Sequence, residues 1–254
     1  VIAMPKPVSW GRGLAAAVVV MVVSQLAFVA GFEIARFAPS APDRIPRGLV
    51  ASLVIGALTW VALVLSARLL FRHRDRDWSL VGISLPRRTV SSVLLFIPLV
   101  VVVAYVGFAI SQLLGLTSTT AIDTEHRSQG YRLLIAFATI VIAPWTEELA
   151  FRGYLYSTLA GRFGYWPGAV VSSLAWASLH LTSGVLIAFT GVGVVLCWLR
   201  RRTGSLLPGV GLHGMWNALA AGLSGAGWWV SGGLGLLAAS MVLTVSWIRG
   251  REPA

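Results

Sequence analysis

The chain has 254 residues, 57% of them hydrophobic and 11% charged, with a mean hydropathy of +0.81. Soluble domains carry about a quarter charged residues, so this composition excludes an ordinary water-soluble globule and reads as an all-α, polytopic membrane protein. The net charge of +11 comes from arginines in short loops between apolar runs; that pattern is topological, and no nucleic-acid motif accompanies it.

Taken in order, the apolar runs predict a single integral membrane domain over 1–254, a bundle of about eight transmembrane helices in the lipid bilayer. The first span covers about 13–35 and is too long for a signal-peptide core, so it reads as a retained helix. The proline-rich "APSAPDRIPRG" separates it from the second, about 48–70. The third, about 90–115, follows the polar "RHRDRDWSLVGISLPRR". The fourth runs from near Tyr131 to about Gly161, and the fifth from Pro167, a good first-turn residue, to about Leu181. The sixth covers about 184–200 and ends in three arginines; the seventh and eighth cover about 205–222 and 228–247. The only cysteine, Cys197, lies in the sixth run, which excludes a disulfide framework and suits a packed thiol. Basic residues gather at both termini, in 68–88, at Arg162 and at 200–202. The opposite side holds Arg36, Arg44, Arg47, Arg127 and Arg132. The positive-inside rule therefore puts both termini in the cytoplasm of a cell-membrane protein.

Ionisable residues inside a span are functional candidates by default. Here they are Glu147, Glu148, Arg152, His180 and His213, joined by the polar Asn217. The uncharged run before the glutamates, 133–146, covers only ~21 Å, short of the ~30 Å hydrocarbon core. A spanning fourth helix must carry the charges into the membrane. Glu148 and Arg152, four apart, share a helix face and can pair. Glu147 points about a quarter turn away and needs a proton or a different partner. Pro144, three residues earlier, either kinks or widens the helix and frees backbone polar groups near Glu147, or is a proline that a membrane helix tolerates. In the fifth span Trp176 and His180 share a face, as do His213 and Asn217 in the seventh.

A glutamate and a histidine can together hold and deprotonate a water, and donors from a histidine and an asparagine can stabilise the oxyanion formed when that water attacks a peptide carbonyl. Glu147, His180, His213 and Asn217 supply each part. The competing arrangement is zinc on His180, His213 and Glu147 with an open position, although HExxH is absent. No GxSxG elbow is present.

At these residues the chain resembles the CPBP family, the CAAX protease and bacteriocin-processing proteins, also called Abi. "EELAFR" (147–152) matches its EExxxR motif, "WASLH" (176–180) resembles FxxxH with Trp176 in place of the Phe, and "HGMWN" (213–217) matches HxxxN. The resemblance covers about 130–220 and puts the site-bearing core at about 130–222. It implies an intramembrane endopeptidase in which Glu147 activates water with His180 beside it. His213 and Asn217 would form the oxyanion pocket, and Glu148 and Arg152 would support the site. The CAAX-processing members point to a metal-free glutamate mechanism, with zinc as the alternative. The expected substrate is a hydrophobic peptide or membrane protein. Nineteen arginines against one lysine, with much Ala, Val and Gly, fit a GC-rich bacterial proteome, where prenylated CAAX substrates are not expected. A non-catalytic scaffold or bacteriocin-immunity protein of the same fold is the second reading. A transporter using Glu147 as a proton relay is the third, weakened by the lack of an internal repeat.

The topology is directly testable. A fluorescent protein fused to the C-terminus should fluoresce, and alkaline phosphatase inserted within 117–130 should be active. The reverse pattern would invert the assignment.

Overall fold

The computed structural model describes residues 9–36, 89–116, 136–180 and 183–223, with the single positions Leu58, Val61 and Gly82. All regular structure among them is helical: α1 (Trp10–Arg36), α2 (Thr89–Leu113), a continuous central helix over 136–163, α5 (Tyr165–Ser178), α6 (Ser183–Thr203) and α7 (Leu207–Leu223). The central helix contains π-helical turns at Ala138–Ile142, α3 (Ala143–Glu147), further π-helical turns at Glu148–Leu155, and α4 (Tyr156–Phe163). Six of the eight expected spans coincide with these helices, within a few residues at each end. The expected second and eighth spans, 48–70 and 228–247, lie outside the described residues apart from Leu58 and Val61. Among the described residues two stretches, Leu95–Leu113 and Ser183–Thr203, are long and apolar enough to cross a membrane, and Trp10–Val23 is a shorter apolar stretch.

Helix α2 shows the inverted economy of a lipid-facing element. Phe96, Val100, Ala104, Gly107 and Ser111 recur at helical spacing and are buried. Leu95, Val102, Tyr105 and Leu113 are exposed although they are apolar or aromatic. In water such a face would be a liability; in lipid it costs nothing.

Apolar surface alone does not drive helices together in a membrane, so close packing must come from small residues that let backbones approach. Gly107 of α2 sits so close to Ala188 of α6 that a Cβ there would overlap the Ala188 backbone. Gly168 of α5 meets the Ala160 backbone of α4, where a Cβ would stand 2.7 Å from the Ala160 nitrogen. Gly13 of α1 lies against Thr158. The chain reverses between α4 and α5 at Gly164, whose φ of 88° favours glycine. Pro167 falls in the first turn of α5, which starts at Tyr165, two residues before the expected boundary. Aromatic contacts extend the α2–α6 seam: Phe96 with Trp198 at 5.1 Å and Phe108 with Phe189 at 6.2 Å between ring centroids. Ser172 of α5 donates to the Phe151 carbonyl at 2.7 Å, stitching α5 to the central helix.

Gly107→Ala sets two effects against each other. Helix propensity alone would stabilise the variant by up to about 1 kcal/mol, whereas overpacking against a backbone costs about 1–3 kcal/mol. Thermal unfolding in detergent should show a lower midpoint for Gly107→Ala and no loss for Gly11→Ala, whose added Cβ meets nothing within 4 Å.

Candidate functional site

The site begins with a backbone irregularity. In π-helical turns the carbonyl of residue i is bonded by the amide of i+5. The Ala143 amide accordingly bonds the Ala138 carbonyl. The next carbonyl, that of Thr139, would need the amide of residue 144, which is a proline and has none. Asn217 of α7 takes this acceptor: its Nδ2 donates to the Thr139 oxygen at 2.7 Å. The π-helical turns before Pro144 agree with the widening reading, and the acceptor that a neighbour takes is at Thr139 rather than beside Glu147.

Glu147 closes α3 and Glu148 opens the second π-helical stretch. Arg152 Nη1 donates to Glu148 Oε1 at 3.0 Å, both side chains at most 1% exposed. His213 approaches the same oxygen with Nδ1 at 3.1 Å. A carboxylate partner makes Nδ1 the protonated nitrogen. That leaves Nε2 directed towards Glu147, 3.8 Å from Oε2. Small residues admit these groups. A Cβ on Gly209 would stand 3.0 Å from Glu148 Oε2, and one on Gly193 would stand 3.0 Å from Arg152 Nη2.

Glu147 is different. Its side chain is 22% exposed, against 1% for Glu148, so it is the carboxyl of the pair that a water or substrate can reach. It has no arginine. Its hydrogen-bond partner is the indole N–H of Trp176, which donates to Oε2. Trp176 is 2% exposed and stands among the other members of the site. The Arg152 guanidinium lies over its ring at 4.5 Å, His180 and His213 meet it edge-on at 5.4 and 5.3 Å, and Phe189 stacks on it at 5.6 Å. Among the described residues Arg152 Nε and Nη2 have no hydrogen-bond partner.

His180 lies just past α5, where its Nδ1 faces the Trp176 carbonyl at 3.3 Å, and it is within electrostatic reach of Glu147 and His213. Glu147, Glu148, Arg152, His180 and His213 therefore share one neighbourhood around Trp176. The bond found for Asn217 goes to Thr139 rather than to any of these side chains. Sequence reasoning treated Trp176 only as an aromatic filling a motif position. The signal was available: an indole nitrogen is a donor only, and when buried it needs an acceptor. Among the described residues no three His, Cys, Asp or Glu side chains converge as a metal-ligand set.

Residues 129–219 match the family model described as type II CAAX prenyl endopeptidase Rce1-like, which agrees with the resemblance carried by the three motifs. No curated protein and no solved structure matches the chain.

Breaking the buried pair should be costly. Glu148→Ala or Arg152→Ala leaves an uncompensated charge and should lose about 3–5 kcal/mol of stability. The double replacement Glu148→Leu/Arg152→Met should lose less than the two single losses combined, read from thermal unfolding in detergent.

Proposed function

On the premise that residues 129–219 belong to the Rce1-like protease family, we propose that this chain is an intramembrane endopeptidase that hydrolyses a peptide bond in a hydrophobic peptide or membrane protein. The observation that carries the reading is the unequal treatment of two adjacent carboxyls. Glu148 is sealed in an ion pair, while Glu147 is open, lacks a cationic lock and has two histidine rings nearby.

In this reading Glu147 takes a proton from a water held between it and His180, and the water attacks the scissile carbonyl. Glu147 then returns the proton to the leaving amine. His213, fixed at Nδ1 by Glu148, turns Nε2 towards the reacting centre. When doubly protonated it is a donor for the developing oxyanion. The Asn217 amide has a second N–H beyond the one on Thr139, and the proposal assigns it to the same oxyanion. Glu148 and Arg152 hold His213 and do not touch substrate. The reaction is proposed to need no metal, since each step is met by a side chain of the cluster.

The test compares membranes from cells carrying the wild type or Glu147→Gln by quantitative mass spectrometry of protein N-termini. New N-termini within or beside apolar segments should appear only with the wild type. Identical sets would remove the protease reading in favour of a non-catalytic scaffold or immunity protein. Elemental analysis of the purified active protein should find zinc well below one per chain; one zinc per chain, lost together with activity under chelation, would replace the metal-free mechanism.

A further inference from the structure

We propose that Trp176 is a positioning residue: its indole N–H pins Oε2 of Glu147, so that Oε1 is the oxygen presented to the reacting water. The inference rests on the reading of Glu147 as the water-activating group, and it identifies which of its two oxygens does the work.

The terminal torsion of a glutamate is broad and roughly two-fold. A carboxyl with no fixed partner therefore presents either oxygen, over a range of angles. Glu148 is fixed by Arg152 and His213. Glu147 has no arginine pair among the described residues; the indole N–H donates to its Oε2, and His213 Nε2 stands further off, 3.8 Å from the same oxygen. The donor is itself immobile. Arg152 lies over the indole face, Phe189 stacks with an interplanar angle of 21°, and His180 and His213 meet the ring edge-on. At 2% exposure the ring has no solvent to turn into. A fixed donor on one oxygen converts a loosely hung base into one held near attack geometry.

The same position holds Phe in the motif that this segment resembles. Phe would keep the stacking on Phe189 and the face under Arg152 and would remove only the donor. Trp176→Phe thus separates packing from positioning.

Two measurements test the assignment. The first needs no substrate. Full-length protein carrying ¹⁵N-labelled indole nitrogens, in detergent micelles, should give one indole signal that disappears in Trp176→Phe. In Glu147→Ala that signal should move upfield, as a hydrogen bond to a carboxylate is lost. An indole spectrum unchanged by Glu147→Ala would overturn the proposal, whether or not the Phe variant folds. The second uses a peptide spanning a cleavage site found in the N-terminal comparison. Trp176→Phe should lower kcat roughly tenfold, about 1.4 kcal/mol, with KM within about twofold, while the control Trp198→Phe turns over as the wild type does. A Trp176→Phe enzyme with wild-type kcat would overturn the positioning role. The outcomes are separable: absence of any cleavage by the wild type removes the protease reading, and the indole spectrum still reports whether Trp176 holds Glu147.

Discussion

The arrangement depends on one buried carboxylate. Glu148 is 1% exposed in an apolar bundle, where an isolated charge costs several kcal/mol even after relaxation. The fold must bring donors to it. One is local: Arg152, four residues on, reaches it from the same helix. The other comes from α7, where His213 meets the same oxygen. Because the second donor lies 65 residues away, satisfying Glu148 also sets how α7 docks on the central helix. Glycine at 209 suits this constraint, since a Cβ there would stand 3.0 Å from Glu148 Oε2, whereas a Cβ at 193 would meet Ser173 first, at 2.6 Å.

A second attachment removes the freedom that the first leaves. His213 alone would allow α7 to rock about the Glu148 oxygen. Asn217, one turn further along, bonds the Thr139 carbonyl that Pro144 cannot serve. The two contacts fall on the same face of α7, at positions four apart, and reach the central helix on either side of Pro144. The HxxxN spacing is therefore a two-point clamp in addition to any role in chemistry. The proline is what makes its second point available.

Several of these features were legible in the sequence because they follow from local helix geometry. The Glu148–Arg152 pair is an i, i+4 relation, and it survives the π-helical turns that run through it. Pro144 announced a disturbed backbone because the missing amide is a covalent fact. Six helices could be placed from apolar runs, the fourth of them interrupted by charge. The relations between helices were less accessible. Nothing in the local pattern told that His213 would choose Glu148 with Nδ1, or that Asn217 would choose Thr139. Those pairings depend on the approach of helices, which turns on small residues such as Gly107 and Ala188 whose partners lie far along the chain. Trp176 fell between these cases. Its place beside His180 on a helix face was readable, but its bond to Glu147 crosses between elements.

On the proposed reading, the two adjacent glutamates divide a reactive and a structural duty between them. Glu148 carries the structural charge, and its loss strands Arg152. Glu147 has no arginine partner among the described residues, and His213 Nε2 stands 3.8 Å from its Oε2. Its one firm contact is a neutral donor, and a glutamine in its place can still accept that N–H through its amide oxygen. On that reading, reactivity and stability fall to neighbouring residues that face different ways. Trp176 touches both assignments, with its face under Arg152 and its N–H on Glu147. The indole links the sealed pair to the open carboxyl, and on the proposed reading the orientation of the reactive oxygen is set through that link.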